Sequence, residues 1–508
     1  MRLVVALVCL LCLPLARAAA LSPSDRALLE RITYGASAAD VAEMERLGRD
    51  RYLRARLAYQ GDAALPPEAR AAIAKLPVTR YDIHRLAEIS AEFRQTVQKL
   101  PENERRAAIR ALREKYGEPA MESAERRAIR ALHSTNQLQE MMTWFWFNHF
   151  NVFEGKGPVR FLVPDYEEQA IRPHVLGKFP DLVKATLMHP AMLVYLDNAR
   201  NRSGRINENY ARELLELHTV GVEGGYTQAD VQALAHLLTG ATANLGDRPV
   251  PRAAGAYAKG AFIFLPRQHD ASAQVLLGRH IESSTGFERI ERVAEMLARH
   301  PSTARFISRK LAVYFYGDQP PEALIARTAA AFSASDGDIA RTLYALFTAP
   351  EFGRPLPQKF KDPVQYVYSS VRLAYPGAVF ANHRPVVTAI AGLGEGAYAR
   401  QTPDGYGLLE RDWASPDQME KRFQFARMLP VAQARLYSPP PVDESPADRA
   451  MMAASFRQAR AAHPLDLGWA RTLVATRYAE RSRAAADAAP NETEWLTLVL
   501  SAPDFMYR

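Results

Sequence analysis

Residues 141–153 read MMTWFWFNHFNVF, the stretch of the chain that is richest in aromatic residues. If the stretch is helical, its rings lie on all sides of the helix, because successive residues are about 100° apart. A helix that is apolar on every side is normally buried, so this stretch predicts a helix inside the core. A platform on which a sugar ring could stack is the alternative.

The flanking segments also show helical spacing of apolar residues, interrupted by proline and glycine. Charged residues are set among Leu and Ile over residues 80–133, which predicts long helices that bury one stripe and expose the rest. The region from Leu245 to His280 differs, since it contains Gly, Pro and the β-like run Phe262-Ile263-Phe264. The predicted fold class is all-α, a large multi-helix assembly with a small irregular or β insertion near residues 245–280.

The first 20 residues have the features of a secretory signal peptide. Met1-Arg2 is a positively charged start, an apolar run follows, and the small residues at 16–20 offer a cleavage site. Both cysteines, Cys9 and Cys12, lie in this segment, so the mature chain would contain no thiol and no disulfide. We expect an exported protein, periplasmic or extracellular, with no stable membrane span after cleavage.

Composition and charge narrow the class of protein further. A hydrophobic fraction of 48% is ample for a core, and residues 21–508 would form a single large helical domain with a possible subdivision near residues 380–415. The net charge is +8, but the 64 basic residues are interspersed with 56 acidic ones. Because no concentrated basic stripe is present, the pattern argues against a nucleic-acid partner.

Residues 207–220 read NENYARELLELHTV and predict a helix that begins at Asn207, a favourable N-cap. Glu213 and Glu216 are three residues apart and would be neighbours, with roughly 5–6 Å between their Cβ atoms. Two carboxylates so close could share a proton, hold a cation, or act as an acid and a base. The alternative is a solvated helix face with ordinary ion pairs.

Two carboxylates on one helix face point the same way, whereas a hydrolytic site needs carboxyls on both sides of the bond. The catalytic candidates are therefore Glu213 and Glu216 together with an acid from another segment. We predict Asp230 or Asp270 for that acid, with Asp197 as a further candidate.

Four residues are candidates for binding a substrate. Asn209 and Arg212 lie on or beside the helix face that carries the two glutamates. Tyr226 follows a glycine pair and could offer a stacking surface. Trp413 ends a glycine-rich region that could line a site, although an ordinary turn is the alternative interpretation of that region.

The sequence contains no HExxH motif and no paired HxH spacing that would predict a metal site. His269 and Asp270 are weak candidates for metal ligands, so a divalent metal remains possible without being predicted. His149 is expected to be a packed histidine bonded to a backbone carbonyl. No phosphate loop, nucleotide fingerprint or G-x-S-x-G elbow is present, so no organic cofactor is predicted.

Several motifs together resemble the bacterial family of unknown function numbered 1800. The residues that carry the resemblance are RITYG at 31–35, WFNHF at 146–150, HPAML at 189–193, NENYAREL at 207–214, GYT at 225–227 and Lys310-Leu311. The resemblance implies an exported or envelope-associated protein, often encoded near a sulfatase-like family. It implies no established activity and no catalytic residues.

Two functional hypotheses follow from these observations. The first is a hydrolase or lyase that acts on an envelope or extracellular polymer, with a glycan as the favoured substrate, by carboxylate acid–base chemistry. The second is a non-catalytic envelope scaffold that binds a polymer or a partner protein, possibly one of the sulfatase-like kind. The environment of Glu213 discriminates between them, because an enzyme needs this side chain in a hollow with a second carboxylate nearby.

Overall fold

The computed structural model describes residues 21–246, 255–438 and 462–508. These residues are mostly helical and contain only short strands, so the predicted all-α class is confirmed. The predicted signal peptide, residues 1–20, lies outside the described residues. Among the helices that are described, none combines the length and the apolar character needed to cross a membrane.

The N-terminal helices begin at side chains suited to that position. Ser22, Ser37 and Asp82 each accept a hydrogen bond from the backbone N–H three residues further on, which satisfies a free donor of the first turn. The helices of this region are α1 (Pro23–Ile32), α2 (Ala38–Leu47), α3 (Arg49–Arg56), α4 (Pro67–Lys75), α5 (Ile83–Val97), α6 (Glu102–Tyr116) and α7 (Pro119–His133).

The central region contains the aromatic helix and the NENYAREL block. Its α-helices are α8 (Gln137–His149), α9 (Val159–Asp165), α10 (Phe179–Leu187), α11 (Pro190–Tyr195), α12 (Asn209–Glu213) and α13 (Gln228–Leu237). Two of them continue directly into π-helical segments, at Tyr166–Ile171 and Leu214–His218. Such segments are rare and occur frequently at functional sites.

Helices resume after the insertion and continue to the C-terminus. They are α14 (Glu288–Ala298), α15 (Pro301–Phe315), α16 (Glu322–Ala334), α17 (Ile339–Phe347), α18 (Pro363–Ala374), α19 (Arg384–Gly392), α20 (Pro416–Met428), α21 (Gln433–Tyr437), α22 (Gly468–Arg477), α23 (Glu480–Asp487), α24 (Glu492–Ser501) and α25 (Pro503–Met506). One hydrophobic cluster includes residues from Leu28 in α1 to Met506 in α25. The subdivision near residues 380–415 stays a prediction.

The predicted β insertion is present and starts slightly earlier than expected. Its strands are β1 (Ala241–Ala243), β2 (Tyr257–Lys259), β3 (Phe262–Phe264), β4 (Gln274–Leu276) and β5 (Arg279–Ile281). An antiparallel sheet has the order β1-β3-β2, and β4 pairs with β5 as a separate antiparallel hairpin. The β-like run Phe262-Ile263-Phe264 is the central strand, and all three of its residues are buried.

The aromatic helix α8 is buried at every position from Gln137 to His149, so the predicted core helix is confirmed. Its rings pack inward; Trp146, for example, donates from Nε1 to the carbonyl of Val175 at 3.1 Å and lies against Phe179. The rings are therefore occupied by the core and present no stacking platform to a sugar.

Helix α7 departs from the prediction that the helices of residues 80–133 bury one stripe and solvate the rest. It is buried on nearly all sides, including its arginines. Arg127 bonds Glu167 of the first π-helical segment, and Arg130 bonds Asp62 at 2.8 Å. Burial of these charges is tolerated because each guanidinium has a carboxylate partner.

Candidate functional site

The NENYAREL block forms a shorter α-helix than predicted. α12 begins at Asn209, and the side-chain oxygen of Asn207 accepts a hydrogen bond from the backbone of Asn209 at 3.0 Å. After Glu213 the chain widens into the π-helical segment, which ends at His218. The predicted regular helix over residues 207–220 is therefore wrong in its second half, since hydrophobic periodicity does not distinguish an α-turn from a π-turn.

Glu213 lies at the junction of the α- and π-helical segments and is half-buried. Burial raises the pKa of its carboxyl, and the negative charges of Glu216 and Asp404 raise it further, whereas Arg212 opposes them. Glu213 is thus not on a fully wetted surface. A carboxyl in this setting keeps its proton to a higher pH than a solvated glutamate does.

The second glutamate of the block has a fixed partner. The hydroxyl of Tyr226 donates to Glu216 at 2.9 Å. Burial and this hydrogen bond raise the pKa of Tyr226 to about 12, so the phenol stays protonated. Tyr226 was predicted only as a stacking surface for a substrate, which stays a prediction, and the structure adds that Tyr226 and Glu216 form a hydrogen-bonded pair.

Asn209 and Arg212 lie beside this pair on the outer side of the helix. Asn209 is exposed, and its amide donates to the carbonyl of Leu196 at 3.2 Å. Arg212 donates to Glu208 at 3.2 Å and to the side chain of Gln228 at 2.8 Å. Both residues are accessible at the edge of the site, and their role in binding stays a prediction.

Asp230 stabilises local structure in place of lying beside the two glutamates as the predicted second acid. Its carboxylate caps α13 by accepting hydrogen bonds from the backbone and hydroxyl of Thr227, and it accepts a third from the backbone of Leu277 at 2.6 Å. Although partial burial favours the neutral form, these bonds lower the pKa of Asp230. Leu277 has a left-handed backbone (φ 50°), so Asp230 also stabilises a strained turn of the β4–β5 hairpin.

Asp270 and His269 belong to a different neighbourhood, beside the β insertion. Asp270 accepts from His236 Nδ1 at 2.6 Å and from Ser272, and these bonds outweigh burial and lower its pKa to about 2. His269 is buried and bonds the carbonyl of Thr239 through Nδ1 at 2.8 Å. His269 and Asp270, the weak candidates for metal ligands, therefore form hydrogen bonds with different partners.

Trp413 and Asp197 complete the set of predicted residues. Trp413 is 7% exposed, and its Nε1 donates to the carbonyl of Gly407 at 3.0 Å, so it supports the glycine-rich loop from within. Asp197 has a left-handed backbone (φ 64°) and pairs with Lys156 at 2.7 Å. Both side chains thus have structural partners of their own.

The carboxylate that approaches Glu213 belongs to the loop at residues 400–407. Asn151 donates to the carbonyls of Arg400 and Thr402 at 3.0 and 2.9 Å, which fastens the loop to the end of the aromatic helix. The hydroxyl of Tyr195 donates to the carbonyl between them, that of Gln401, at 2.7 Å. Asp404 is thereby held close enough to Glu213 for its charge to raise the pKa of Glu213.

Asp404 itself is well positioned and accessible. Arg400 donates to its two oxygens at 3.2 and 3.1 Å, and the hydroxyl of Thr402 donates to one of them. The side chain remains 53% exposed. Asp404 was not among the predicted site residues, and the only signal for it in the sequence was its place in a glycine-rich loop. Glu213, Glu216 and Asp404 are called the acidic site below.

Lys310 is a largely buried lysine on whose pKa the charge of Asp404 acts. The ammonium of Lys310, on α15, donates to His149 Nδ1 at 2.9 Å, and Asp404 is near enough for its charge to act on Lys310. Burial lowers the pKa of Lys310 to about 8, against the opposing charge of Asp404. His149 is bonded on its other side to the carbonyl of His218 at 3.1 Å, as predicted.

These contacts determine the tautomer of His149. A carbonyl only accepts, so Nε2 carries the proton that bonds His218, and the bare Nδ1 accepts from Lys310. Burial, with the positive charge of Lys310, holds the pKa of His149 well below its usual range. His218 is fully buried as well, and neither of its ring nitrogens has a hydrogen-bond partner among the described residues.

The arrangement therefore combines a half-buried acid, an exposed carboxylate from a separate loop and a desolvated amine. It can donate and accept protons without an added group. Over the described parts of the chain, no cluster of three or more His, Cys, Asp or Glu side chains has an arrangement that could hold a metal ion. A divalent metal stays a possibility that the sequence left open.

Comparison with known proteins identifies the family of this chain but no individual relative. The family model described as a protein of unknown function, DUF1800, matches residues 27–507. No curated protein and no solved structure matches the chain. Because the matched residues cover nearly the whole sequence, the chain belongs to the DUF1800 family.

Proposed function

We propose that this protein is a hydrolase or lyase that cleaves a polymer by carboxylate acid–base chemistry at the acidic site. The observation that carries the proposal is the half-buried position of Glu213, whose pKa is raised by burial and by the negative charges of Glu216 and Asp404. Glu213 lies on a helix and Asp404 on a loop far along the chain, so the two carboxyls are contributed by different elements. Two glutamates on a single helix face would not provide that arrangement.

The environments of the two carboxyls suggest their roles. Burial and two neighbouring negative charges favour the protonated form of Glu213, which would donate its proton to the leaving oxygen. Asp404 is half exposed and oriented by Arg400, so it would accept a proton from water or from the substrate carbon. A pair of carboxyls with different environments is the usual arrangement for acid–base work.

The proposed substrate is an extracellular or envelope polymer, with a glycan as the first candidate. The exposed edge formed by Asn209 and Arg212, with the aromatic ring of Tyr226 beside it, would suit an extended chain with hydroxyl groups. Export, by the signal-like N-terminal segment, and cooperation with a sulfatase-like protein are further parts of this proposal. No cofactor is required by it.

Incubation of the purified protein with a panel of glycans and murein tests the proposal. Glu213→Gln and Asp404→Asn should each abolish product formation. Glu208→Gln is the matched control, because Glu208 lies on the same helix region but pairs with Arg212 and Gln228 instead. Product formation that survives Glu213→Gln would remove this residue from the mechanism. Binding of a polymer without any cleavage by the wild type would favour the scaffold hypothesis instead.

A further inference from the structure

A hollow of about 450 Å³ opens at the surface between α5, α6, α7 and α9. Its size falls within the range of small-molecule sites, about 300–1,000 Å³. The described residues that line it do not include Glu213, Glu216 or Asp404, so the hollow is separate from the acidic site. Its wall does include Tyr398 and Ala399, which directly precede the loop at residues 400–407.

Aromatic rings form much of the wall of the hollow. The rings of Phe93 on α5 and Phe161 on α9 lie 5.3 Å apart and are tilted against each other. The ring of Phe153 rests against the backbone of Gly155, where a Cβ would lie 2.3 Å from it. Such a wall favours a ligand with a large apolar group, because ring pairs add to the stabilisation that apolar burial provides.

Two charged side chains of the lining have no ion-pair partner. Glu154 is half-buried, and within the described segments its carboxylate takes part in no hydrogen bond or ion pair. Arg160 is exposed and forms no ion pair with any residue of those segments. The other two charged residues of the lining, Arg113 and Glu118, pair with each other at 3.2 Å.

A ligand can relieve the unfavourable position of the Glu154 carboxylate. Burial raises the pKa of Glu154, and the positive charge of Arg160 opposes that shift without reversing it. A ligand that fills the hollow removes more water from the carboxylate, so it must supply a hydrogen-bond donor there. A cationic group is the strongest such donor, but Arg160 repels it unless the ligand also carries a negative charge.

We propose that the hollow binds a free amino acid with a large apolar side chain, represented by phenylalanine, in its zwitterionic form. Its ammonium bonds Glu154 and its carboxylate bonds Arg160. Its side chain lies among the rings of Phe93, Phe153 and Phe161. The two charges of a zwitterion match the two unpaired charges of the lining, whereas a simple amine or a simple carboxylate satisfies only one of them.

Calorimetric titration of the full chain with four ligands provides the test. The ligands are L-phenylalanine, phenethylamine, which lacks the carboxylate, 3-phenylpropionate, which lacks the ammonium, and glycine, which lacks the side chain. We expect L-phenylalanine to bind at least tenfold more tightly than each of the other three, because it alone contacts the rings and both charges.

Two substitutions separate the contributions of the two charges. Glu154→Gln should weaken binding of L-phenylalanine at least tenfold without weakening that of 3-phenylpropionate, since this ligand has no ammonium. Arg160→Met should weaken binding of L-phenylalanine without weakening that of phenethylamine. Glu223→Gln and Arg354→Met are the matched controls, because both side chains are exposed and neither lines the hollow.

Gly155→Ala tests the ring wall without a change of charge. The new Cβ displaces the ring of Phe153, and the backbone is not strained because Gly155 does not have a positive φ. Binding of all three ligands that carry a ring should weaken several-fold. Gly392→Ala should leave their binding unchanged, since a Cβ there would meet no atom within 4 Å.

Absence of L-phenylalanine binding, or binding that Glu154→Gln and Gly155→Ala leave unchanged, would overturn the site. Equal affinity for L-phenylalanine and glycine would overturn the role of the rings. Affinity for either analogue with a single charge that equals the affinity for L-phenylalanine would overturn the assignment to a zwitterion. None of these measurements involves cleavage of a polymer, so their outcome does not depend on the proposed function.

Discussion

The side-chain amide of Asn148 bonds both backbone groups of Tyr406. Its oxygen accepts from the Tyr406 N–H at 2.6 Å, and its nitrogen donates to the Tyr406 carbonyl at 3.0 Å. Asn148 belongs to the buried aromatic helix, whereas Tyr406 lies in the loop that carries Asp404. The two hydrogen bonds therefore anchor the loop that carries Asp404 to the buried aromatic helix.

Gly405 is the residue that allows this close approach. It has φ +75°, and a Cβ at this position would lie 2.2 Å from the backbone oxygen of Asn148. Gly405→Ala should displace the loop and cost about 1–3 kcal/mol of strain. We expect loss of polymer cleavage, and faster amide exchange of Tyr406 by hydrogen-exchange mass spectrometry. Gly392→Ala is the control, because a Cβ there would meet no neighbouring atom within 4 Å. Unchanged exchange in Gly405→Ala would contradict the anchoring role.

Lys310 should destabilise the fold while it is charged. The pKa is about 8 in the folded protein against 10.5 for an ordinary lysine, a difference equivalent to roughly 3 kcal/mol at most. The folded state thus holds the proton less tightly than the unfolded state, so the penalty is complete below pH 8 and disappears as pH rises towards 10.5.

Lys310→Met should therefore be more stable than the wild type at pH 7, by a margin that shrinks between pH 8 and 10.5. Chemical denaturation at a series of pH values measures this margin, with Lys421→Met as an exposed control. A variant that is less stable than the wild type at pH 7 would show that the ammonium is paired in solution.

Glu213 should show the opposite dependence on pH. Its pKa is raised in the folded protein, so its stabilising contribution is complete below pH 4.5 and is lost as pH rises through the folded pKa. Glu213→Gln should accordingly have a higher Tm than the wild type at neutral pH, and the two should converge in acid. Thermal melts across this range measure the difference. Equal Tm values at neutral pH would indicate that Glu213 is fully solvated.

Asp230 should matter for stability and not for chemistry. Asp230→Ala removes the cap of α13 and the bond to Leu277, which together should cost about 2–3 kcal/mol. Ser415→Ala at the N-cap of α20 removes a single cap bond and should cost about 1 kcal/mol. Denaturant titration compares the two variants. If the Asp230→Ala variant were fully stable but no longer cleaved the polymer, Asp230 would have to be counted as a catalytic residue.

Much of the fold was predictable from local pattern. Residues 141–153 carry aromatic rings on all sides, and a helix with that pattern has no stable place except the core. The run Phe262-Ile263-Phe264 predicted the insertion in the same way, because β-propensity acts over a few residues. His149 was also predicted to bond a backbone carbonyl, since a buried imidazole needs a partner.

The π-helical turn after Glu213 could not be predicted in this way. Its wider hydrogen-bond spacing is unfavourable in isolation and persists only where surrounding packing supports it. The roles of the two aspartates could not be predicted either. Asp230 caps a helix and Asp404 acts on Glu213, but the residues next to each in the sequence do not distinguish these roles.

The sequence by itself determined the helical class, the buried position of the aromatic helix and the membership of the DUF1800 family, because these depend on periodicity and on motifs within short segments. Only the tertiary structure decided that Asp404 accompanies Glu213 and that Lys310 lacks an acidic partner. Those relationships join α12, α15 and a loop that are far apart in the chain, and their distances depend on how the whole core packs.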